Sequence, residues 1–447
     1  MRTKLFLVLS IFTLQMNAQC WDKISSGAYH TIAIAHDGTL WAWGYNANGQ
    51  VGNNTNLNQV NPVQISTDTD WVFVGAGYYH SFAIKANGTL WGWGYNAFGQ
   101  LGNSQTSDRI TPTQIGTASD WQSISGGENF SVAIKTNSTI WTVGSNSSGQ
   151  LGTGNNFDRS SFGQLGTLSD WSQAAAGRFH VIALKTDGKL YAWGNNLNGQ
   201  LSNGGFGATL DIPTLVTTTG TANFIKVTAS PNASLALRQD NSLWIAGLIA
   251  STNTTFFQQF AFPTTWSNVS AGANHIIGAK SDGTLWAYGN NSLGQISQPG
   301  FSGVNSPYQV TGTNFSTELG TNFYSSLVLK NDGGLYSFGQ NHVGQLADNT
   351  IVDKNSITAI YCPAVLSSDP FEIQNSISLY PNPVLNQLNI SNTSEIESLT
   401  IYDIAGKQIK YQDGNTSSIT VEDLKSGFYL LEISIEGKKE IKKFVKQ

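Results

Sequence analysis

The sequence predicts an all-β protein: a seven-bladed β-propeller followed by a small Ig-like β-sandwich. Three observations lead to this fold class. A Gly-x-Asn-x-x-Gly-Gln element recurs about every 50 residues, Asn-Gly or Asp-Gly pairs separate short apolar runs, and helical periodicity is almost absent. A fixed period of this length is typical of repeat architectures, in which each unit buries its apolar face against its neighbours.

The repeated element defines seven units. Copies begin at Gly44, Gly94, Gly144, Gly194, Gly289 and Gly339, and a degenerate copy around Gly247 fills the one double-length gap. The fifth unit lacks the Asn and Gly-Gln positions and carries Phe256, Phe257, Phe260 and Phe262 instead. These phenylalanines either fill the core of their own blade or form an exposed aromatic patch.

Each unit contains four candidate strands. In the second unit they start at Trp71, at Ser81, at Thr89 and at Pro112, and Asn87-Gly88 separates the middle two. Such a pair predicts a type I′ hairpin, in which both central residues have positive φ. Four antiparallel strands repeated seven times predict a closed propeller rather than an open solenoid.

The two ends of the repeat region predict how the ring closes. The first unit starts directly at Trp21, and an orphan strand, 356–361, follows the seventh. We therefore expect the C-terminal strand to complete the first blade and so remove the open sheet edges. Cys20 and Cys362 lie on either side of this seam and are expected to form a disulfide bond.

The N-terminus predicts export. Residues 1–18 carry Arg2 and Lys4, then an apolar stretch, then a small residue at Ala18, as a secretory signal peptide does. A lipoprotein signal ending at Cys20 is the alternative, although Gln19 is large for the position before a lipidated cysteine. Since no other stretch approaches the ~20 apolar residues of a membrane span, no transmembrane segment is expected.

The composition changes at Pro363. Residues 363–376 predict a linker, and residues 377–447 contain alternating apolar strands, glycine turns and many lysines. This pattern predicts a separate β-sandwich. The propeller is accordingly assigned to residues 19–362.

The repeat resembles that of the regulator of chromosome condensation (RCC1-like) family over about residues 21–361. The resemblance rests on three motifs: Gly-x-x-His-Ser/Thr, Thr-Leu-Trp-x-Trp-Gly and Gly-x-Asn-x-x-Gly-Gln-Leu-Gly. It implies a seven-bladed propeller and leaves the activity open, because members include nucleotide-exchange factors, chromatin binders and secreted protein-binding inhibitors.

The C-terminal segment is similar to the type A sorting domain of the type IX secretion system. The similarity rests on Leu379-Tyr380-Pro381-Asn382-Pro383, Ile404-Ala405-Gly406-Lys407 and Gly427-Phe428-Tyr429. It implies passage across the outer membrane, with the type IX machinery as a partner, and a secreted or surface-attached product. A structural or ligand-binding sandwich is the alternative.

The charge distribution argues against nucleic-acid binding. Between Cys20 and Cys362 there are 13 Lys and Arg against 17 Asp and Glu, with no basic run. Nucleic-acid binders concentrate positive charge. Export also separates the chain from cytosolic GTPases, so nucleotide exchange stands on family analogy alone. A monomeric propeller is expected.

Four histidines share one repeat position, namely His30, His80, His180 and His275. They are either hydrogen-bonded core residues or a ring of metal ligands, and Phe130 and Ala233 at the same position favour the core interpretation. The thirteen tryptophans also fall at repeat positions and are expected in the blade cores. No metal or cofactor is expected.

The carboxylates give no catalytic constellation. Most occupy turns or precede a tryptophan, and the scattered remainder, Glu128, Asp211, Glu318 and Asp348, shows no pairing. The sequence therefore predicts no enzyme. The alternative is a polysaccharide-active enzyme, which requires paired carboxylates in a cleft.

The two middle residues of the Gly-x-x-His turn differ between units and suggest a partner site. They read Ala28-Tyr29, Tyr78-Tyr79, Glu128-Asn129, Arg178-Phe179, Pro231-Asn232, Ala273-Asn274 and Thr321-Asn322. Tyr, Phe and Arg dominate binding hot spots. Tyr29, Tyr78, Tyr79, Arg178 and Phe179 are thus candidate contacts for an extracellular protein or glycan, and ordinary exposed turn residues are the alternative.

Overall fold

A computed structural model describes residues 20–217, 223–250, 252–260, 265–300, 303–360, 378–391, 396–403, 407–414, 416–435 and 438–447. The chain divides into two compact units, Met1–Pro363 and Ala364–Gln447. Regular structure in the described ranges is entirely β-strand. No helix that could cross a bilayer occurs there.

The first four blades are four-stranded antiparallel sheets in chain order. Blade 1 contains β1 (Trp21–Ser26), β2 (His30–Ala35), β3 (Leu40–Gly44) and β4 (Gln59–Ser66). Blade 2 contains β5 (Trp71–Ala76), β6 (His80–Lys85), β7 (Leu90–Gly94) and β8 (Arg109–Gln114). Blade 3 contains β9 (Trp121–Gly126), β10 (Phe130–Lys135), β11 (Ile140–Gly144) and β12 (Arg159–Gln164). Blade 4 contains β13 (Trp171–Ala176), β14 (His180–Lys185), β15 (Leu190–Gly194) and β16 (Leu210–Leu215).

The remaining three blades follow the same order. Blade 5 contains β17 (Phe224–Ala229), β18 (Ala233–Arg238), β19 (Leu243–Ile249) and β20 (Thr252–Gln259). Blade 6 contains β21 (Trp266–Ala271), β22 (His275–Lys280), β23 (Leu285–Gly289) and β24 (Val304–Gln309). Blade 7 contains β25 (Phe315–Thr321), β26 (Ser325–Lys330), β27 (Leu335–Gly339) and β28 (Lys354–Ile360).

The first strands of the seven blades form the inner wall of a ring. Each contacts the first strand of the next blade, and β25 contacts β1, so the ring is closed. The predicted all-β, seven-bladed propeller is therefore confirmed. The tryptophans lie in the blade cores as expected, with Trp21, Trp43, Trp93 and Trp193 among the largest fully buried side chains.

The predicted mode of closure is wrong. The strand β28 pairs with β27 and is the outer strand of blade 7, and blade 1 obtains its outer strand from its own β4. Because every blade is built from consecutive strands, no strand is exchanged across the seam. Closure instead relies on packing between blades 7 and 1, where Trp21, Trp43 and Leu327 share one hydrophobic cluster.

The hairpin turns also differ from the predicted type I′ form. Of the pair Asn87-Gly88 only Gly88 has a positive φ, 77°. Its N–H donates to the Lys85 carbonyl (2.8 Å), while the Asn87 carboxamide oxygen accepts from the Thr89 N–H (3.1 Å) and hydroxyl (2.7 Å). Asn or Asp is thus selected as a side-chain acceptor and not for positive φ.

The Gly-x-Asn-x-x-Gly-Gln element organises the loop between the third and fourth strands. In blade 1, Asn46 is fully buried; its amide donates to the carbonyls of Thr55 (2.8 Å) and Leu57 (3.0 Å), and its oxygen accepts from Val51 N–H (2.8 Å). A buried amide with both ends satisfied fixes the loop conformation. The most regular motif of the chain is therefore structural.

The C-terminal compact unit, Ala364–Gln447, contains two sheets. One has the strands β29 (Ser378–Tyr380), β30 (Gln387–Ser391) and β33 (Ser418–Thr420). The other has the strands β31 (Ile396–Asp403), β32 (Gln408–Asp413), β34 (Gly427–Ile435) and β35 (Lys438–Lys446). Leu388 and Ile419 from the first sheet and Leu399 and Phe444 from the second belong to one core, so the unit is a small β-sandwich. Its Ig-like topology stays a prediction.

Several sequence predictions fall outside the described residues. These are the signal peptide of residues 1–18, most of the linker of residues 363–376, Cys362 and Phe262. The disulfide and the signal peptide therefore remain predictions.

Candidate binding face

The variable turns of all blades lie on one face of the ring. Because consecutive strands are antiparallel, the turn between strands one and two and the loop between strands three and four emerge on the same side. We call this side the turn face. The Asn-Gly and Asp-Gly hairpins lie on the opposite side.

The geometry that the turn repeats from blade to blade explains its glycine and histidine. In blade 1 the Gly27 N–H donates to the His30 carbonyl (2.9 Å), and a Cβ on Gly27 would overlap the His30 ring. His30 Nε2 is 2.8 Å from Ser81 Oγ of blade 2. Histidine therefore clamps one blade to the next.

The other three turn histidines repeat this contact. His80, His180 and His275 bond to Ser131, Ser234 and Ser326 at 2.9, 3.1 and 2.9 Å. All four histidines are fully buried, and burial lowers each pKa to about 3. The interpretation as hydrogen-bonded core residues is confirmed. No cluster of three or more metal-ligating side chains is found in the described ranges.

Backbone hydrogen bonds join the turns around the ring. In six of the seven turns the first middle residue donates to the neighbouring blade, as in Ala28 N to Tyr78 O (3.3 Å) and Tyr78 N to Gly127 O (3.0 Å). Pro231 of blade 5 has no N–H to donate. Ala28, Tyr78, Pro231 and Phe323, first residues of four of the turns, line the cavity on the ring axis.

This pattern corrects the prediction for blade 7. Phe323 N donates to Ala28 O (3.1 Å), so Phe323 and Tyr324 are the middle residues of this turn, not Thr321 and Asn322. The first strand of this blade carries one additional residue, visible as a register shift between Phe315 and Leu319. Ser325 at the histidine position was the available signal, because it places 323 and 324 directly before it.

The structure places the five candidate residues on one face of the ring, in blades 1, 2 and 4. Arg178 is exposed, and Tyr29, Tyr79 and Phe179 are half-buried. The expectation that all of them face solvent is wrong for Tyr78, whose side chain is buried against Phe323, with ring centroids 4.7 Å apart. Its hydroxyl has no hydrogen-bond partner within the described part of the chain.

Rings from blades 7, 1 and 2 form one continuous aromatic surface, here called the tyrosine face. The centroids of Tyr29 and Tyr45 are 6.4 Å apart, those of Tyr45 and Tyr79 6.4 Å, and those of Tyr79 and Tyr95 6.5 Å. Phe98 extends the row at one end and Phe323 at the other. Adjacent rings meet edge to face, a favourable arrangement. The full set is Tyr29, Tyr45, Tyr78, Tyr79, Tyr95, Phe98, Phe323 and Tyr324.

Sequence reasoning missed Tyr45, Tyr95, Phe98, Phe323 and Tyr324. Tyr45 and Tyr95 occupy the variable position of Gly-x-Asn, which holds Ser145 in blade 3 and Asn195 in blade 4. The variation of that position between units is the sequence signal that identifies Tyr45 and Tyr95. Their proximity to Tyr29 and Tyr79 depends on the ring.

A charged pair borders the tyrosine face. The Arg178 guanidinium is hydrogen-bonded to the Glu128 carboxylate of blade 3 and lies 5.0 Å from the Phe179 ring centroid. The Glu128 hydrogen bond raises the Arg178 pKa, and burial raises the pKa of Tyr29 and Tyr79. Tyr29 and Tyr79 therefore present neutral hydroxyl groups at physiological pH.

The ring axis is a narrow polar channel. A cavity of about 190 Å³ is lined by small residues of the seven inner strands, including Ser25, Ser125 and Ser270, and by Tyr78 and Phe323. The aromatic pair thus lies where the channel meets the turn face.

Three of the four carboxylates for which the sequence showed no pairing form ion pairs in the structure. Glu128 pairs with Arg178, Glu318 with Lys23 (2.9 Å), and Asp348 with Lys354 (3.2 Å). Of these pairs, only Glu128 with Arg178 adjoins the tyrosine face. The arrangement offers ring surfaces and hydroxyl groups for binding.

The fifth blade combines both alternatives considered for its phenylalanines. Phe257 and Phe260 are buried, and Phe260 packs on Tyr288 with centroids 4.9 Å apart. Phe256 is 49% exposed. The segment therefore fills its blade core and leaves a single exposed ring rather than a patch.

Comparison with protein families agrees with the fold and motifs. The family description "RCC1-like domain" matches residues 12–220, "Regulator of chromosome condensation (RCC1) repeat" matches 266–295, and "Secretion system C-terminal sorting domain" matches 378–447. The chain is an RCC1-like repeat protein with a C-terminal secretion sorting domain. Such a domain implies secretion and cell-surface or outer-membrane attachment.

Individual relatives support the fold. Human WBSCR16 is similar with a TM-score of 0.64 at 19% identity, covering 72% of this chain and 93% of that one. Yeast RCC1 (Prp20), in a crystal structure with Kap60, has a TM-score of 0.65 at 18% identity, covering 78% and 86%. The ultraviolet-B receptor UVR8 of Arabidopsis thaliana is 47% identical over 49 residues, only 11% of either chain. At these identities the structures establish the propeller and leave the activity open.

Proposed function

We propose that this chain is an exported, non-enzymatic binding protein that recognises a neutral carbohydrate chain through the tyrosine face. The observation that carries the proposal is the row Tyr29, Tyr45, Tyr79 and Tyr95, whose successive centroids lie 6.4 to 6.5 Å apart. The sorting domain supports a site of action outside the cell. A cleaved signal peptide of residues 1–18 is part of the proposal.

The chemistry of the row favours sugars. Tyrosine combines an apolar ring with a polar tip and loses little conformational entropy when it binds. Its rings can cover the C–H faces of pyranoses, while the neutral hydroxyl groups reach sugar hydroxyls. Since charged residues are only 11% of the chain, electrostatic steering contributes little to recognition.

A protein partner is the second candidate. Arg178 is exposed beside Phe179, and arginine with aromatic residues is the typical composition of a protein hot spot. One solved relative, yeast Prp20p, is described with binding properties to Gsp1p and histones. A nucleic-acid partner is disfavoured, because the net charge of this chain is −5 and nucleic-acid binders concentrate positive charge.

The polysaccharide-active alternative has less support. A glycosidase needs two carboxyl groups about 5 to 9.5 Å apart in different environments. At the tyrosine face the carboxylate of Glu128 is hydrogen-bonded to Arg178, which favours an ion pair over a catalytic acid or base. We therefore propose binding without turnover.

An array of polysaccharides and glycans, probed with the labelled full chain, tests the proposal. We expect a specific, saturable signal that the Tyr29→Ala, Tyr79→Ala double variant weakens at least about tenfold, since each stacked ring contributes of order 1 kcal/mol. Leu197→Ala is the matched control, because Leu197 is an exposed loop residue on the turn face of blade 4, outside the tyrosine face.

The opposite results are equally informative. A blank array would remove the carbohydrate proposal and lead to affinity capture from neighbouring cell surfaces with wild type and the Arg178→Ala variant. Product analysis on any bound polysaccharide would reveal turnover. Detection of cleaved product would replace the binding role with the enzymatic one.

A further inference from the structure

A groove on the perimeter between blades 3 and 4 is separate from the turn-face residues discussed above. It encloses a cavity of about 440 Å³ and is lined by Arg159 and Leu165 of blade 3 and by Trp171, Tyr191 and Pro213 of blade 4. We propose that this groove binds a small carboxylate with an aromatic or apolar body. The proposal is independent of the tyrosine face.

The neighbouring repeats provide an internal reference for this groove. Between blades 5 and 6, Phe260 stands where Leu165 stands here, packs on Tyr288, and leaves a cavity of about 10 Å³. In blade 3, Phe162 packs on Trp121 (4.9 Å) at the position that Pro213 holds in blade 4. The groove between blades 3 and 4 has the smaller side chains of Leu165 and Pro213 at these two positions.

Arg159 supplies an unsatisfied donor at this groove. Its Nη1 is buried and has no hydrogen-bond partner in the described part of the chain. The guanidinium lies over Gly163, where a Cβ would overlap Nη1. Blades 1, 2 and 4 carry Val63, Thr113 and Thr214 at the Gly163 position, so the missing side chain makes room for the guanidinium.

The second cation of the groove is already engaged. Lys185 Nζ is 3.1 Å from Asp170 and lies 4.8 and 4.7 Å from the centroids of Trp171 and Tyr191. An unpaired N–H of a partly buried guanidinium is unfavourable, and guanidinium groups pair strongly with carboxylates. The ligand that complements Arg159 is therefore an anion, and a planar carboxylate suits it best.

The remaining walls select an apolar body. Leu168 and Ile212 at the rim are 52% and 53% exposed, and Leu165 and Pro213 line the groove. A ligand ring seated here removes this surface from water, which is the main source of affinity for small molecules. The volume falls within the usual range for small-ligand sites, about 300–1,000 Å³.

Isothermal titration of the full chain with 3-phenylpropionate tests the proposal, with 3-phenylpropanamide and acetate as probes lacking the charge or the ring. We expect saturable binding of 3-phenylpropionate and at least about tenfold weaker binding of the other two. Arg159→Met should weaken 3-phenylpropionate binding to the level of the amide. Leu165→Phe, which copies the filled groove between blades 5 and 6, should abolish it.

Arg109→Met is the matched control. Arg109 holds the equivalent position in blade 2, where its Nη2 donates to Gln105 and its buried Nε has no hydrogen-bond partner in the described part of the chain. Because Arg109 does not line the groove, Arg109→Met should leave 3-phenylpropionate binding unchanged. Each variant is first shown to have the wild-type melting temperature. Unchanged binding by Arg159→Met, equal affinity for acid and amide, or no saturable heat up to about 10 mM 3-phenylpropionate, the weak limit of specific binding, would overturn the proposal.

Discussion

The indole Nε1 of Trp43 donates a hydrogen bond to the backbone carbonyl of Gln345, 3.2 Å away, and so joins blade 1 to blade 7. The same bond links consecutive blades elsewhere, from Trp93 to Gln50 and from Trp193 to Gln150, each at 2.9 Å. The closing interface therefore uses the standard contact between blades. This explains why the ring closes without an exchanged strand.

Trp43→Phe should destabilise the propeller by about 1–3 kcal/mol, because the Gln345 carbonyl loses a buried donor and the smaller ring leaves a void. Trp193→Phe removes the equivalent hydrogen bond between blades 3 and 4 and should lower the stability by a similar amount. Denaturant unfolding of both variants measures this. A neutral Trp43→Phe beside a destabilised Trp193→Phe would show that the bond does not support closure.

Acid should destabilise the propeller through its turn histidines. Their folded pKa of about 3 lies below the unfolded value of 6.5, so unfolding takes up protons between these two pH values. Stability is therefore complete above pH 6.5 and falls as the pH drops toward 3. At pH 5 each histidine contributes a loss of about 2 kcal/mol.

The variant His80→Phe isolates one of these contributions. Blade 3 carries Phe130 at this position, so the ring is compatible with the fold. The variant should show a shallower loss of stability between pH 6.5 and 4 than wild type, measured by thermal melts across the range. His342→Gln, at an exposed histidine, is the control. Identical slopes for His80→Phe and wild type would contradict the role of His80.

Asn96→Ala should destabilise blade 2 by about 2–4 kcal/mol. Its fully buried side chain donates to the carbonyls of Gln105 (2.9 Å) and Ser107 (3.1 Å) and accepts from Leu101 N–H (3.0 Å), so truncation leaves buried groups unsatisfied. Asn56→Ala is the control, since the side-chain amide of this exposed residue donates one hydrogen bond, to the Ala47 carbonyl. Equal melting temperatures for the two variants would refute the structural role of the motif.

The predicted Cys20–Cys362 disulfide should be found in the exported protein. Cys20 packs in the same core cluster as Ile360, two residues before Cys362. Closing so long a loop stabilises by up to about 4–5 kcal/mol in the chain-entropy model. Non-reducing mass spectrometry should recover a linked peptide pair, and Cys20→Ser should lower the melting temperature. Alkylation of both thiols without prior reduction would exclude the bond.

Repetition made much of the fold predictable. Six regular copies of one motif and one degenerate copy determine seven blades, and Phe and Ala at the histidine position already indicated a packing role. Errors arose where the same residues fit more than one local conformation, or where a single additional residue shifts the register. A type I′ turn was inferred from the dipeptide Asn87-Gly88, but its asparagine serves the Thr89 backbone and hydroxyl. One additional residue in the first strand of blade 7 shifted the assignment of its turn.

The candidate sites, like the fold, were only partly predictable from the sequence. Variation between repeats identified Tyr29, Tyr79, Arg178 and Phe179, because positions free of folding constraints are visible in one sequence. Burial of Tyr78 against Phe323 was not visible, since 245 positions separate them and only ring closure brings blades 7 and 2 together across the axis.

The sequence by itself determined the repeat, the strand order within each blade and the exported, two-part organisation, because periodic apolar strands, turn residues and sorting motifs act locally. Tertiary structure alone decided how the ring closes, which rings of blades 7, 1 and 2 form one surface, and where a groove stays open. Those features depend on packing between blades, and packing is set by side chains distant in the chain.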